Sequence, residues 1–163
     1  MYNTHIMKIM PKCYQLIGVP GSGKSTWVAS QDWAVNCHII STDYWVEEEA
    51  KRVGKTYSEI FTDYMPRAVE LMTTNVVLAR TMSNDIIWDQ TSTTVASRAK
   101  KFGMLPDYVH VAVVFRTPDE EEHQRRLKTR PGKEIPEAVL FDMIWNFEMP
   151  TEEEGFQEIW YAS

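Results

Sequence analysis

Residues 18–26 have the sequence Gly18-Val19-Pro20-Gly21-Ser22-Gly23-Lys24-Ser25-Thr26. This stretch fits the pattern G-x-x-x-x-G-K-[ST] and follows an apolar run, Cys13 to Val19, that is typical of a buried strand. Its glycines allow the backbone to turn so that several N–H groups point into one concavity, and the positive end of the following helix adds to this anion site. The stretch therefore predicts a phosphate-binding loop between a strand and a helix.

The residue types in this loop have predicted roles toward a nucleoside triphosphate. Lys24 reaches the β- and γ-phosphates, and the Ser25 hydroxyl completes the shell of a Mg²⁺ ion that bridges the same two phosphates. Backbone N–H groups supply further contacts. The predicted nucleotide-binding set in the loop is Gly18, Pro20, Gly21, Ser22, Gly23, Lys24, Ser25 and Thr26.

Length and composition favour one domain. At 163 residues with 44% apolar residues, the chain is about the length of one domain and can bury one core. We expect residues 1–10, with three methionines and no clear period, to form a flexible leader and residues 11–163 to form the domain. No stretch is long and apolar enough to span a bilayer, and residues 1–10 lack the apolar core of a secretory signal. We therefore expect a cytoplasmic protein.

Charge is unevenly distributed along the chain. The formal net charge of −6 argues against a protein that coats nucleic acid. Residues 94–133, however, hold nine Lys or Arg residues against five Asp or Glu residues, a local balance of +4. Such a region beside a phosphate loop fits binding of a nucleotide, a nucleic-acid backbone or both, and the alternative is a pair of solvated helix faces.

The order of predicted elements alternates between strand and helix. This alternation predicts an α/β protein with three layers, in which helices cover both faces of a parallel sheet of about four to five strands. A mostly polar segment is expected over 44–57. The predicted strands cover about 12–19, 37–42, 86–88, 108–115 and 156–161, and the predicted helices about 24–32, 65–82, 95–102, 119–128 and 136–147.

Two acidic residues follow predicted strands, at the edge where open parallel sheets bind ligands. Asp43 follows the second strand, where a carboxylate can accept the proton of an attacking hydroxyl and hold it in line with the γ-phosphorus; the alternative is a helix N-cap. Asp89 follows the apolar run 86–88 and is predicted to bind Mg²⁺ through a water or to hold the substrate hydroxyl. Thr91 and Ser92 either contact the substrate or cap the next helix.

Basic residues flank a break between two predicted helices at Pro131-Gly132. In a small kinase this is the place of a mobile lid, whose guanidinium groups stabilise the charge of the transferring phosphoryl group. The alternative is a basic helix end that the helix dipole favours. The residues concerned are Arg125, Arg126, Arg130 and Lys133.

Several patterns are shared with one known family. Gly18 to Trp27 match a loop G-x-P-G-x-G-K-S-T followed by an aromatic residue, and Ile40 to Asp43 match a strand ending in [IV]-N-x-D. Asp89 to Ser92 are similar to a D-x-T-N element, and Ala96 to Lys100 to the helix after it. Phe147 to Phe156 match the pattern F-E-x-P-T-x-x-E-G-F of animal members. On these motifs the chain resembles, over most of its length, the 5′-kinase domain of polynucleotide kinases, within the wider group of P-loop kinases.

This resemblance implies the fold of P-loop NTPases with a helical lid, ATP and Mg²⁺ as cofactors, and a nucleic acid, in particular DNA, as the acceptor. It implies Lys24, Asp43 and Arg130 as catalytic residues, with Asp43 as the general base, and Arg126 as a lid residue on the nucleotide. The residues expected on the acceptor side are Asp43, Asp89, Thr91 and Arg98, and those expected at the metal are Ser25 and Asp89.

Two positions depart from the family on the acceptor side. Val46 stands where a phage-type member has an arginine assigned to the substrate's neighbouring phosphate, and Ser92 stands where D-x-T-N has asparagine. One branch of similar phage proteins phosphorylates the hydroxymethyl group of 5-hydroxymethyluracil within DNA, which fits a remodelled acceptor side with Tyr44 and Trp45 near Asp43. The acceptor is therefore expected to be either this hydroxymethyl group or a 5′-OH end.

Two other classes of function stay open. The nuclear ribonucleoprotein U family has a similar element, close to Asp89 through Lys101, in a domain regarded as an RNA-associated ATP-binding module. Under that interpretation the chain binds nucleotide without transfer. The second alternative is a kinase for a small metabolite or free nucleoside. Asp43 separates the first alternative from a kinase, because a pure binding module needs no base.

Overall fold

The computed structural model describes residues 9–162. Of the predicted leader, residues 1–8 lie outside the described residues, and Ile9 and Met10 are exposed ahead of the first strand. The strands are β1 Lys12–Ile17, β2 His38–Ile40, β3 Ile86–Trp88, β4 Val109–Phe115 and β5 Glu158–Ala162. They form one parallel sheet in the order β2-β3-β1-β4-β5, which confirms the predicted fold class.

Strand β1 lies at the centre of this sheet. It pairs with β4 from Lys12 to Ile17, and its other edge pairs with β3, with Cys13 opposite Ile86. Helices cover both faces of such a sheet, so a central parallel strand is buried on both sides. All residues of β1 after Lys12 are buried, including Gln15, whose side-chain amide bonds to a ring nitrogen of His110 at 3.1 Å.

The α-helices of the described residues are α1 Lys24–Ser30, α2 Thr42–Val53, α3 Tyr57–Thr81, α4 Val95–Met104, α5 Glu120–Lys128 and α6 Glu137–Trp145. Met72 of α3 packs on the sheet face that carries Cys13, whereas Trp27 of α1 packs on the face that carries Tyr14. The predicted arrangement of three layers is therefore confirmed. None of these helices combines the length and the apolar content needed to cross a membrane.

Helix α2 occupies most of the segment that the sequence predicts to be mostly polar, 44–57. The Ser41 hydroxyl caps its first turn by accepting a backbone N–H at 3.2 Å, and Gly54 ends it with φ of 69°. Val46 is fully buried between α2 and α3. The buried residues Thr42, Val46 and Ala50 recur every four residues, but few large apolar side chains mark this stripe, so the helix is hard to predict from the sequence.

Helix α3 begins at Tyr57, earlier than the predicted span of about 65–82. Its start is fixed by a capping box, in which the Thr56 hydroxyl accepts the Glu59 N–H (3.2 Å) and the Glu59 carboxylate accepts the Thr56 N–H (2.6 Å). Pro66, expected in the first turn, therefore lies inside the helix. The cap and the buried stripe of α3 override the preference of proline for a helix start.

Arg98 of α4 forms a buried ion pair. Its guanidinium donates to both carboxylate oxygens of Glu154 (2.8 and 3.2 Å) and to the Ser92 carbonyl oxygen (2.9 Å). The Arg98 side chain is 0% exposed and does not line the cleft described below. The prediction that Arg98 contacts the substrate is therefore wrong. The residue connects α4 to the segment before β5.

We expect Arg98→Met to lower the free energy of unfolding by about 3 kcal/mol, because it leaves the buried Glu154 carboxylate without its counter-charge. Urea unfolding followed by circular dichroism measures this loss. The control is Arg80→Met, which removes an exposed ion pair with Asp107 (3.0 Å) and should cost less than about 1 kcal/mol. Equal losses in the two variants would contradict the structural role of Arg98.

Candidate nucleotide and acceptor site

The predicted phosphate loop lies between β1 and α1. Gly21 and Gly23 have φ of 78° and 98°, which glycine adopts without the strain that a side chain would cause. The Lys24 ammonium donates to the carbonyl oxygens of Gly18 (2.8 Å) and Val19 (2.9 Å). The loop's own backbone therefore holds this cation at the base of the loop.

Gly18 has a packing role at the point where the loop leaves β1. Its N–H donates to the Thr91 carbonyl oxygen at 2.9 Å. A Cβ at this position would lie 2.5 Å from Ser22 Oγ and 2.8 Å from Phe115 Cβ, so no side chain fits. Gly18 does not line the cleft itself.

A cleft of about 2050 Å³ opens at the carboxyl ends of the strands. Pockets for single small ligands have volumes of roughly 300–1000 Å³, so this cleft has room for a nucleotide and an acceptor together. Apart from Gly18 and Arg98, it brings the predicted site residues together: Pro20, Gly21, Ser22, Gly23, Lys24, Ser25, Thr26, Asp43, Asp89, Thr91, Arg126 and Arg130.

Asp43 lies in the first turn of α2, with Ser41 as the N-cap. The alternative prediction, that Asp43 itself caps the helix, is therefore wrong. The Tyr57 hydroxyl donates to one Asp43 oxygen at 2.5 Å, and the Lys133 ammonium donates to the other at 3.0 Å. Burial acts to raise the pKa of Asp43, but the Lys133 charge and these two hydrogen bonds outweigh it, so the pKa is lowered. Asp43 is thus an ionised carboxylate that faces the cleft.

Asp89 and Thr91 follow β3 at the neighbouring strand end. The Asp89 N–H donates to the Ile40 carbonyl oxygen at 2.7 Å, which holds this end of β3 beside β2. Burial raises the pKa of the Asp89 carboxyl, and Lys24 opposes this shift. Helix α4 is capped by Thr94 and not by Thr91. Thr91 lines the cleft instead.

The two departures from the family pattern are both buried. Ser92 is 3% exposed and has φ of 48°, a left-handed conformation that asparagine tolerates better than most residues. Val46 is fully buried against α3. Neither residue lines the cleft. Position 92 has to adopt a left-handed backbone conformation, and position 46 presents no group to an acceptor.

The predicted lid residues lie on α5 and on residues 129–136, which we call the lid loop. The His123 ring donates to the Pro20 carbonyl oxygen at 2.7 Å, and Arg126 donates to the Gly21 carbonyl oxygen at 3.2 Å. These contacts fasten α5 to the phosphate loop. One terminal nitrogen of Arg130 is buried without a hydrogen-bond partner among the described residues.

The contacts of Tyr57 and Lys133 with Asp43 were not predicted from the sequence. Lys133 is expected to face the phosphates, but it contacts Asp43 and Glu47 (3.1 Å) and lies 4.4 Å from the centre of the Tyr57 ring. The capping-box pattern at 56–59 is a signal that could have placed Tyr57 in a first helical turn. No local pattern indicates that the lid loop returns to this helix.

The residues of the cleft fit a nucleoside triphosphate and Mg²⁺. A buried donor without a partner costs free energy, and Arg130 and the Ser22 hydroxyl each have a buried atom with no partner among residues 9–162. Burial lowers the pKa of Lys24 to about 8, an effect that Asp89 opposes and Arg130 strengthens. An anion between these cations would restore the charge balance. The Ser25 hydroxyl and the Asp89 carboxylate are oxygen ligands of the kind Mg²⁺ prefers, since it takes few protein ligands beside phosphates.

Comparison with known sequences identifies one family and a set of relatives. A family model described as "AAA domain" matches residues 14–150. The chain is 22% identical over 157 residues to human heterogeneous nuclear ribonucleoprotein U-like protein 2, covering 90% of this chain. It spans 21% of the length of that relative, about a fifth.

Comparison with solved structures agrees with the fold. A protein of Chloroflexus aurantiacus assigned as a kinase superposes with a TM-score of 0.69 at 13% identity, covering 94% of this chain and 88% of its own. The structure of the Pnkp1/Rnl/Hen1 complex gives a TM-score of 0.55 at 25% identity, covering 77% of this chain and 41% of that chain. Shikimate kinase from Acinetobacter baumannii, in complex with shikimate, gives a TM-score of 0.52 at 17% identity, covering 94% of this chain and 84% of that chain. The chain therefore belongs to the AAA domain family, and its fold is that of the P-loop kinases.

Proposed function

We propose that this protein is an ATP-dependent kinase that transfers the γ-phosphate to a hydroxyl group carried by a nucleic acid. The observation that carries the proposal is that a phosphate loop, lid cations and an ionised Asp43 carboxylate line one cleft. The 25% identity to the Pnkp1 complex over 77% of this chain and the motifs shared with polynucleotide kinases support a nucleic-acid acceptor. The acceptor is the hydroxymethyl group of a modified pyrimidine in DNA or a 5′-OH end.

In this proposal Asp43 accepts a hydrogen bond from the acceptor hydroxyl and directs its oxygen at the γ-phosphorus, in line with the bond to the leaving ADP. The new oxygen–phosphorus bond forms as that bond breaks, and the hydroxyl proton passes to Asp43. Lys24, Arg126 and Arg130 lie where they can stabilise the charge on the transferring group. Positioning and electrostatics thus supply most of the rate acceleration.

Ser25 and Asp89 are the residues proposed to hold magnesium. The ion, when bound, neutralises phosphate charge and fixes the geometry of the triphosphate. Asp89 is suited to this role because burial raises its pKa and so disfavours the ionised form. A nearby cation would stabilise the ionised carboxylate.

Charge on the two sides of the cleft favours the hydroxymethyl acceptor over the 5′ end. The cations that line the cleft belong to the phosphate loop and to residues 116–133. Helices α2 and α3 contribute Tyr44, Glu47, Phe61 and Met65 to the opposite wall, and position 46 offers no cation. A 5′-OH end carries an adjacent phosphate, and Lys133, the lid-loop cation beside these two helices, is already paired with Asp43 and Glu47.

Two other candidates have specific support. The 22% identity to heterogeneous nuclear ribonucleoprotein U-like protein 2 over 90% of this chain favours a nucleotide-binding module without transfer. The fold shared with shikimate kinase is compatible with a small hydroxylated metabolite or a nucleoside as acceptor. Asp43 argues against the first, because its ionised state in the cleft serves transfer and not nucleotide binding.

Lys24→Ala should abolish transfer, with a loss of at least about 100-fold, because the cation beside the β- and γ-phosphates is removed. Release of labelled phosphate to the acceptor measures this, and nucleotide affinity should fall as well. Lys100→Ala, on an exposed part of α4, is the control that should match the unaltered protein. A Lys24→Ala variant with most of its activity would contradict the phosphate-loop assignment.

Asp43→Asn should lower transfer by about 100-fold or more while ATP affinity stays within about twofold, since the carboxylate acts on the acceptor and not on the nucleotide. Single-turnover transfer and calorimetric titration with ATP separate the two effects. Asp63→Asn changes an exposed carboxylate of α3 and should have no effect. Turnover within about tenfold of the unaltered protein would remove Asp43 as general base.

The acceptor is identified by transfer of labelled γ-phosphate to a matched panel. The panel contains 5′-OH DNA and RNA, duplex DNA with internal 5-hydroxymethyluracil and blocked ends, free nucleosides, and shikimate. We expect label on the hydroxymethylated duplex, because the described residues of α2 and α3 that line the cleft include no cation for the phosphate next to a 5′-OH end. Label on a free nucleoside or on shikimate alone would show that the protein is a metabolite kinase. ATP binding without label on any acceptor would favour the nucleotide-binding module.

A further inference from the structure

The lid loop is attached to the start of α3 by two hydrogen bonds, one between backbone groups and one to a side chain. The Ser58 N–H donates to the Gly132 carbonyl oxygen at 3.0 Å, and the Glu134 N–H donates to the Ser58 hydroxyl at 2.9 Å. Gly132 has φ of 74°, and a Cβ there would lie 3.0 Å from Thr56 Cβ. A side chain at residue 132 would therefore crowd Thr56 and strain the backbone, so glycine favours this close approach of the loop to α3.

This attachment places Lys133 in a site built for a cation. The Lys133 ammonium donates to Asp43 and Glu47 at 3.0 and 3.1 Å, and it lies over the Tyr57 ring at 4.4 Å. Its side chain is 12% exposed, so the contacts are partly shielded from water. Two carboxylates and an aromatic face stabilise a cation more strongly than an exposed ion pair does.

Asp43 is held from both sides as a result. Tyr57 donates to one carboxylate oxygen and Lys133 to the other. Each carboxylate oxygen can accept two hydrogen bonds, so the group keeps the capacity to accept one from an acceptor hydroxyl. The two donors restrict rotation of the carboxylate without blocking it.

We infer that Lys133 is a positioning residue for Asp43, and that docking of the lid loop on α3 orients this carboxylate. The inference rests on the proposed function for the role of Asp43. The same loop carries Arg130, whose buried terminal nitrogen has no partner in the part of the chain described. One movement of the loop therefore brings a cation to the phosphate side and a second cation to the base. Closure over the nucleotide and alignment of the acceptor base are coupled.

The charged groups that face Asp43 come from every element around it. Lys133 and Arg130 of the lid loop, Lys24 of the phosphate loop and the Tyr57 hydroxyl favour its ionised form, whereas Asp89 and Glu47 oppose it. Burial raises the pKa of Asp43, but Lys133 and Tyr57 together lower it by more. Loss of Lys133 should therefore raise the pKa of Asp43. As the pH is lowered, transfer should then begin to fall at a higher pH than in the unaltered protein.

The main test is Lys133→Met, which keeps the aliphatic stem and removes the charge. The expected results are a fall in kcat of about tenfold or more, a KM for ATP within about twofold, and an acid limb of the pH–rate profile that moves to higher pH. Lys133→Arg should restore much of kcat and return the limb toward its original position. Wild-type kcat and an unmoved acid limb in Lys133→Met would overturn the inference.

A second variant displaces the loop and leaves Lys133 in place. Gly132→Ala introduces a Cβ against Thr56 and should reproduce the lower kcat and the moved acid limb. The control is Gly54→Ala, at a similar φ of 69°, where the added Cβ has no described residue other than its chain neighbours within 4 Å. This variant should keep the kcat and the acid limb of the unaltered protein. If Gly132→Ala also behaves like the unaltered protein, docking of the loop does not orient Asp43.

An NMR titration of the Asp43 carboxyl tests the inference without turnover. The titration midpoint should rise in Lys133→Met and Gly132→Ala and stay unchanged in Gly54→Ala. Absence of transfer to every acceptor of the panel would defeat the proposed function, and an active Asp43→Asn variant would defeat the general-base role. This titration would still decide whether the lid loop holds the carboxylate. An inactive Asp43→Asn variant together with unshifted titrations would defeat the inference alone.

Discussion

Strand β1 is paired with β3 along one edge and with β4 along the other, so its backbone cannot shift without breaking both ladders. The phosphate loop starts from this fixed strand. Gly18 is bonded to the Thr91 carbonyl oxygen and closely packed against Phe115, which fixes the direction in which the loop leaves the sheet. His123 then fastens α5 to the same loop through the Pro20 carbonyl oxygen. The positions of the cleft and of its lid therefore depend on the central strand.

Burial and charge act against each other throughout the cleft. Burial lowers the pKa of Lys24 and raises that of Asp89, so both groups gain from an opposite charge nearby. Among these acids and bases Asp43 behaves differently, because Lys133 and Tyr57 outweigh its burial and lower its pKa. Of Asp43 and Asp89, the carboxylate that two donors hold is thus the one proposed to receive a proton. In phosphoryl transfer with a loose transition state, orienting the hydroxyl matters more than the strength of the base.

The pattern at 147–156 contributes to the fold and not to the cleft. The Glu148 N–H donates to the Thr93 carbonyl oxygen at 2.8 Å, Glu154 pairs with Arg98, and Phe156 packs against Ile17. These contacts connect the chain after α6 to the segment that follows β3. The residues of this pattern therefore close the domain of this chain and do not contact the cleft. Evidence about the acceptor has to come from α2, α3 and α6.

The phosphate loop, the parallel sheet and the acids at two strand ends could be predicted from the sequence, because glycine spacing, apolar runs and a carboxylate after a strand are local patterns. Helix α2 and the start of α3 were harder to predict, since few large apolar residues mark the buried face of α2 and helix caps are short signals. Only the tertiary structure decided which basic residues serve the site. Arg98 is buried with Glu154, whereas Lys133 meets Asp43 across 90 residues of chain. A pairing over that distance depends on the packing of the lid loop against α3, which no local pattern in the sequence encodes.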